Sequence, residues 1–283
     1  MASVERRRIV RYRDESLEAA PDQVAIEEPL EIEVDGTVVS TTMRTPGQDI
    51  ELALGWLVSE GAITSVDDIA EARECFEEIE GSDDAALPTA IRDDDVRRTV
   101  KVTTRHSPVI APRLHATSSA CGVCGADLID LTERTRRWPL EDDGTAFNIV
   151  RLLDQPGRLR EAQRGFDASG GLHAAALFTP DGELVCLRED VGRHNAVDKV
   201  VGWALLERRL PLTGLCMQVS GRASAELVHK AVVAGAPALA AVSAPTTLAV
   251  DLARAAGLTL VGFVRDRSLN IYAGGERLGV APS

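Results

Sequence analysis

The alternation of apolar and polar residues predicts two antiparallel strands near the start of the chain. Residues 24–42 alternate in this way around Asp35-Gly36, a dipeptide typical of tight hairpin turns. The next stretch, TPGQDIELALGWLVSEG, carries apolar residues at the spacing of one helix face, with Thr45-Pro46 as its predicted entry. A hairpin followed by an amphipathic helix is therefore expected at this end of the chain.

The middle of the chain alternates less regularly. Residues 71–95 carry ten acidic and two basic side chains, which indicates a solvated loop or an edge strand. Residues 98–106 predict a further strand, and residues 149–165 predict two helices with a break near Pro156-Gly157.

The last hundred residues have a more regular pattern. A second hairpin, turning at Asp181-Gly182, is predicted from residue 176 onward. From residue 194, helices of about a dozen residues alternate with short apolar strands, a pattern typical of crossover units and a mostly parallel sheet. The expected fold is α/β, with a smaller strand-and-helix region at residues 1–115 and an α/β domain at residues 116–283.

Composition narrows the class of protein. The chain has 283 residues, 45% of them hydrophobic, and a formal charge of -13. No apolar run approaches the roughly 18 residues of a transmembrane helix, and no apolar segment follows the basic start MASVERRR. Five cysteines are an odd and sparse set, which argues against a disulfide framework. We therefore expect a soluble cytoplasmic protein with reduced thiols and no membrane partner.

The negative charge is unevenly distributed along the chain. Residues 1–187 carry 20 basic and 36 acidic side chains, whereas residues 188–283 carry 11 and 8. A net-acidic chain is a poor general ligand for nucleic acid, because phosphate neutralisation by Lys and Arg dominates that affinity. The C-terminal part, with its balance of +3, could still bind a small phosphate-bearing molecule.

The strongest chemical signal is a pair of cysteines, Cys121 and Cys124, in SSACGVCG at a predicted loop-to-helix junction. A helix N-terminus stabilises thiolate over thiol, which would make these cysteines nucleophilic. Half of a zinc site or a packed cysteine pair are the alternatives. Zinc deaminase chemistry is not supported, because His173 is followed by Ala174-Ala175 instead of the required x-Glu.

A second signal is the polar block REDVGRHNAVDKV at residues 188–200, between a predicted strand and an apolar helix. Each residue taken alone could belong to a capped helix start with ion pairs. Taken as a set, the donors suggest a pocket for an anionic, hydrogen-bonding ligand. These donors are Arg188, Arg193, His194, Asn195 and Lys199.

Three predicted strands end in polar turns that α/β proteins use to bind phosphates. The turns lie at residues 219–226, 243–247 and 263–268, and the last contains two arginines. None has a GxGxxG or Walker pattern, so an ordinary βα turn is the default for each alone. Together, three successive strand ends predict one polar face.

Several of these segments together resemble the FdhD family of formate dehydrogenase accessory sulfurtransferases. The resemblance spans roughly residues 24–280, and its specific part is REDVGRHNAVDK with an upstream CGVCG. It implies a cytoplasmic homodimer with a cytidine-deaminase-like, three-layer α/β/α main domain. The other matching segments are EEPLEIEVDG, TPGQDIELALGWLVSEG, SGGLHAAAL, SGRASAELVHKA and GLTLVGFVR.

The resemblance also implies a function. Proteins of this family accept persulfide sulfur from a cysteine desulfurase and transfer it to the molybdenum cofactor, a bis-molybdopterin guanine dinucleotide, which formate dehydrogenase requires. Cys121 matches the persulfide-bearing cysteine and Cys124 its companion, with no tightly bound metal expected. The family's guanine-dinucleotide-binding stretch falls on Phe263, Val264, Arg265, Asp266, Arg267 and Ser268.

Two other functions remain open at this point. One is a non-catalytic cofactor chaperone whose cysteines hold a metal or support the loop. The other is a guanine-nucleotide-binding regulatory module that does not depend on its thiols.

Overall fold

The computed structural model describes residues 2–78, 96–108, 110, 132–133 and 136–280. These residues form three β-sheets and six α-helices. The strands are β1 (Val4–Arg13), β2 (Ser16–Ala25), β3 (Glu28–Val34), β4 (Thr37–Arg44), β5 (Ile69–Glu78), β6 (Val96–Thr104), β7 (His173–Phe178), β8 (Leu184–Asp190), β9 (Cys216–Val219), β10 (Ala238–Ala241), β11 (Thr259–Arg265) and β12 (Ser268–Ala273). The helices are α1 (Asp49–Ser59), α2 (Ile149–Ala162), α3 (Arg164–Ser169), α4 (Arg193–Leu206), α5 (Ala225–Val233) and α6 (Thr247–Ala255).

A six-stranded sheet in the order β12-β11-β10-β9-β7-β8 forms the centre of the molecule. Strands β9, β10 and β11 are parallel, whereas the pairs β11–β12, β7–β9 and β7–β8 are antiparallel. The prediction of a mostly parallel sheet is therefore wrong for the sheet as a whole. The prediction holds only for β9, β10 and β11, which are connected by the crossover helices α5 and α6. The pairs β7–β8 and β11–β12 are antiparallel hairpins, which need no crossover helix.

Alternating strand residues bury opposite faces of this sheet. Ala174 and Ala176 of β7 pack in a cluster with Leu159 of α2, whereas Ala175 and Leu177 belong to the core on the other side. That second core contains residues of α1, α4, α5 and α6. The result is an α/β/α arrangement of three layers, and the predicted α/β class is confirmed.

A four-stranded sheet, β4-β3-β6-β5, precedes the main sheet. The hairpin turning at Asp35-Gly36 is confirmed, and both residues have positive φ, as a tight hairpin turn requires. Residues 71–78 belong to the edge strand β5, one of the two interpretations of the acidic segment. The rest of this acidic segment, residues 79–95, lies outside the described part of the chain.

Helix α1 begins at Asp49, four residues after its predicted entry at Thr45. Thr45 is buried, and its backbone N–H donates to the Asp190 carboxylate at 3.1 Å, which ties this segment to the main sheet before the helix begins. The predicted break at Pro156 is also wrong, because α2 continues through it. Leu152 and Leu159, on either side of Pro156, are both buried in the layer beneath α2.

Helices α1 and α4 join the two regions by close backbone contact. A Cβ atom placed on Gly55 would lie 1.8 Å from the carbonyl oxygen of Asp198, and one on Gly202 would lie 1.8 Å from that of Glu51. Only glycine permits this approach. Residues from both sides of the predicted domain boundary, including those of α1 and α4, share one hydrophobic core. The division into domains at residue 115 remains a prediction.

The first two strands were not predicted. β1 and β2 form a two-stranded hairpin of ten-residue strands, and most of its side chains are exposed. No helix in the described residues is long and apolar enough to cross a membrane.

Candidate functional site

Turns from several strands meet at one end of the main sheet. Strands β9, β10 and β11 are parallel, so their carboxyl ends share this edge, and antiparallel β7 begins here at His173. Backbone hydrogen bonds connect the turns: Ser243 N–H donates to Gly221 O at 3.3 Å, and Phe263 N–H donates to Ser243 O at 3.2 Å. The predicted polar face is therefore confirmed as a structural unit, called here the strand-end face.

His173 and Ser220 lie side by side in this face. Ser220 Oγ accepts a hydrogen bond from Ala174 N–H at 2.9 Å and lies 3.4 Å from His173 Nδ1. Gly221 follows, and a Cβ atom there would lie 3.6 Å from the His173 ring and 3.8 Å from Arg193 Cδ. The absence of a side chain at Gly221 leaves its backbone accessible between a histidine and an arginine.

The starts of α4 and α5 contribute a second pair of side chains. Ser224 caps α5 by accepting from Leu227 N–H, and its Oγ lies 3.2 Å from His194 Nε2. Glu226 in the first turn of α5 places a carboxylate oxygen 3.5 Å from the same His194 nitrogen. The N-termini of α4 and α5 thus lie beside one imidazole.

Both histidines of the strand-end face favour the neutral imidazole. Burial lowers the pKa of His194 to about 4, and the positive charges of Lys230 and Arg193 add to the effect against the opposing Glu226 carboxylate. Burial and then the nearby Arg193 guanidinium lower the pKa of His173. At neutral pH each ring is uncharged, so its nitrogens can both donate and accept hydrogen bonds.

Arg193 supplies the positive charge of this cluster. Its Nε atom is buried and has no hydrogen-bond partner within the described residues. An unsatisfied guanidinium nitrogen is unfavourable, and an anionic ligand would satisfy it. Arg193 is the donor of the 188–200 block best placed to bind such a ligand.

The predicted cofactor-binding stretch, Phe263–Ser268, adjoins this cluster through Ser243. Phe263 is half-buried with a positive φ of 52°, and the register of β11 against β12 shifts there. Val264 is fully buried in the core beneath α2, so its side chain is unavailable to a ligand. The exposed side chains are those of Arg265, Asp266, Arg267 and Ser268.

Half of the 188–200 block lies inside the protein, which corrects its interpretation as one ligand-binding set. Lys199 is fully buried, and its Nζ contacts Asp190 Oδ2 at 2.7 Å and Thr45 O at 2.9 Å. Asn195 donates to Met43 O at 2.8 Å and to Asp190 at 3.0 Å. These groups hold α4 against the first region and are not free for a ligand.

Arg188 also belongs to this internal set. It forms a two-pronged ion pair with Glu51 of α1, at 2.5 and 2.8 Å. Asp198 pairs with Lys230 of α5 at 2.8 Å and accepts from Ser59 of α1 at 2.9 Å. One ion pair thus connects β8 to α1, and another connects α4 to α5.

The predicted catalytic cysteines, Cys121 and Cys124, lie outside the described residues. Two described cysteines, Cys186 and Cys216, are buried, and burial raises the pKa of each to about 12, so neither is a nucleophile at neutral pH. No group of three or more His, Cys, Asp or Glu side chains suited to a metal occurs in the described part of the chain.

His173 was not predicted as a site residue from the sequence, whereas Ser220 lies within the predicted turn at residues 219–226. His173 was considered only for a zinc motif, which it does not complete. Its place beside Ser220 depends on the antiparallel pairing of β7 with β9, and local sequence does not reveal that pairing.

The fold and site define an α/β/α protein with a polar face, lined by two histidines and an arginine, at its strand ends. The model of the FdhD/NarQ family matches residues 25–279, so the chain belongs to that family. It is 49% identical over 274 residues to the sulfur carrier protein FdhD of Nocardia farcinica, covering 96% of this chain and 94% of that protein. The corresponding protein of Streptomyces coelicolor is 49% identical over 278 residues, with 98% and 96% covered.

The fold also has a solved relative. A crystal structure from Desulfotalea psychrophila, provisionally assigned as a formate dehydrogenase accessory protein, superposes with a TM-score of 0.73 and 21% identity. The match covers 98% of this chain and all of that one. At this identity, the likeness supports the fold alone.

Proposed function

We propose that this protein is a sulfurtransferase that takes persulfide sulfur from a cysteine desulfurase and passes it to the molybdenum cofactor of formate dehydrogenase. The observation that carries the proposal is family membership across residues 25–279, with relatives that are named sulfur carrier proteins. We further propose that the protein acts in the cytoplasm as a homodimer.

The sulfur would be carried by Cys121. Its thiolate attacks the terminal sulfur of the donor persulfide, the donor's S–S bond breaks, and the donor cysteine leaves as a thiolate. Cys121 then holds the sulfur as a persulfide. Cys124 either lowers the pKa of Cys121 or attacks its Sγ, which releases hydrosulfide and leaves a Cys121–Cys124 disulfide for an external thiol to reduce.

The cofactor, as substrate, would dock by its guanosine and phosphate ends on the strand-end face. Arg193 and the two helix N-termini offer donors for phosphate, and Phe263–Ser268 offers an aromatic ring with two exposed arginines. Neutral His173 and His194 can bind uncharged ligand atoms without adding positive charge.

Mass spectrometry of the full chain after incubation with a cysteine desulfurase and cysteine tests the sulfur step. We expect an added sulfur atom on Cys121, no adduct in Cys121→Ala, and a normal adduct in the control Cys186→Ala, whose thiol is buried. Formate dehydrogenase activation should be lost with Cys121→Ala and retained with Cys186→Ala. An unmodified Cys121, or stoichiometric zinc that disappears when both Cys121 and Cys124 are replaced, would favour the chaperone instead.

A further inference from the structure

The N-terminal hairpin leaves an apolar strip uncovered. Val10 and Tyr12 of β1 are each 68% exposed, and Leu17 of β2, opposite Tyr12, is 73% exposed. The hairpin touches the rest of the described structure mainly where β2 packs on α3. A two-stranded hairpin is at best marginally stable in water, so a partner surface on this strip would stabilise it.

The edge available for pairing is that of β1. Pro21 interrupts the donor row of β2, and α3 packs more extensively on β2 than on β1. Strand β1 has no such interruption and carries five arginines and one glutamate. Arg6, Arg8 and Arg13 form no ion pair within the described residues. The hairpin therefore presents a long, basic, unpaired edge.

A complementary edge occurs elsewhere on the same chain. Strand β5 ends the four-stranded sheet and, within the described residues, pairs with β6 only. It is also ten residues long and carries four glutamates and one arginine. Glu71, Glu74 and Glu77 are exposed, and Phe76 is 51% exposed among them. One edge is basic with uncovered apolar residues, and the other is acidic with an aromatic ring that stays half exposed although the Arg98 guanidinium lies over it.

We propose that β1 of one copy pairs with β5 of a second copy and extends its four-stranded sheet to six strands. In a two-fold dimer the exchange is reciprocal, so each copy gives a hairpin and receives one. Pairing of two hairpins through β1 is disfavoured, because arginines would face arginines. This inference rests on the dimer of the proposed function and assigns its interface.

Charge reversal with mixing tests the interface. The first variant, Arg6→Glu/Arg8→Glu/Arg13→Glu, leaves β1 with two arginines and four glutamates and so makes it acidic. The second, Glu71→Lys/Glu74→Lys, leaves β5 with two glutamates and three basic residues and so makes it basic. In each variant alone, both reciprocal contacts oppose like charges, so we expect dimer dissociation constants at least about tenfold higher than wild type. Mixed one to one, the variants restore opposite charges at both contacts and should form heterodimers, measured by sedimentation velocity and native mass spectrometry.

The control is Arg151→Glu/Arg254→Glu, which also replaces arginines by glutamates, at exposed positions of α2 and α6, and should dimerise like wild type. Circular dichroism checks the fold of each variant. If a reversed variant does not fold, Val10→Ser/Tyr12→Ser replaces it, with the same expected loss of dimer.

Two results would overturn the interface, and they have different consequences. If both charge-reversed variants still dimerise like wild type, the β1–β5 contact is not the dimer interface, although the protein is a dimer. If the wild-type chain is monomeric at every concentration, both the proposed dimer and its proposed interface are wrong. Neither affects the sulfur-transfer proposal, which is tested separately by the adduct on Cys121.

Discussion

The polar block at residues 188–200 contains two halves with similar chemistry and opposite environments. Arg193 and His194, at the first turn of α4, reach the strand-end face. Asn195 and Lys199 enter the protein and bind Asp190 and the backbone of the first region. Positive and polar side chains therefore lie either at the strand-end face or in the interior, where they hold the fold together, depending on which side of one helix they occupy.

The spacing of the block explains this division. Asn195, Lys199 and Gly202 follow the i, i+4, i+7 pattern of one helix face, and that face packs on α1 and the segment before it. A buried set at this spacing is a helix-packing surface even when its members are polar. This pattern was available in the sequence and could have separated Lys199 from Arg193.

The largest difference between the two halves should appear on removing Lys199. Lys199→Ala leaves Asp190 charged and buried without its cation, which costs about 3–5 kcal/mol of unfolding free energy. Urea denaturation measures this loss. The double variant Asp190→Leu/Lys199→Met removes both charges and should be the more stable of the two. A loss below about 1 kcal/mol for Lys199→Ala would contradict the structural role.

The next effect depends on pH and comes from His194. Its folded pKa of about 4 lies below the ordinary value of 6.5, so the unfolded chain takes up the proton first as pH falls. The stability contributed by neutral His194 is present above pH 6.5 and is lost between there and pH 4. From pH 7 to pH 5 we expect a loss of about 2 kcal/mol that is missing in His194→Gln. Identical pH dependence in both proteins would contradict burial of this ring.

The smallest effect on stability should come from Arg193, together with a clear effect on binding. Since its Nε has no partner within the described residues, Arg193→Met should change the unfolding free energy by less than about 0.5 kcal/mol. Guanosine diphosphate, a probe for the cofactor's nucleotide ends, should bind about tenfold more weakly or worse. Isothermal titration measures this, with Arg254→Met on α6 as control. If Arg193→Met binds guanosine diphosphate as tightly as wild type, the phosphates do not bind at Arg193.

Sequence reasoning was most accurate where neighbouring residues decide the structure. The hairpins at Asp35-Gly36 and Asp181-Gly182 and the strand-helix alternation after residue 194 were all predicted. Short turns and helix periodicity depend on nearby residues, so a single sequence carries them. The continuation of α2 through Pro156 was missed, because packing beneath the helix outweighed the local effect of proline.

Sequence alone determined that the chain is an α/β protein with a paired-cysteine motif, an acidic first part and a C-terminal part of opposite net charge. Tertiary structure decided which polar residues lie at the strand-end face. His173 and Ser220 come together because β7 runs antiparallel beside β9, and Lys199 is internal because Gly55 and Gly202 let two helices approach at backbone distance. The physical reason is that burial and pairing arise between distant segments, and they determine whether a charged side chain stabilises the fold or remains available to a ligand.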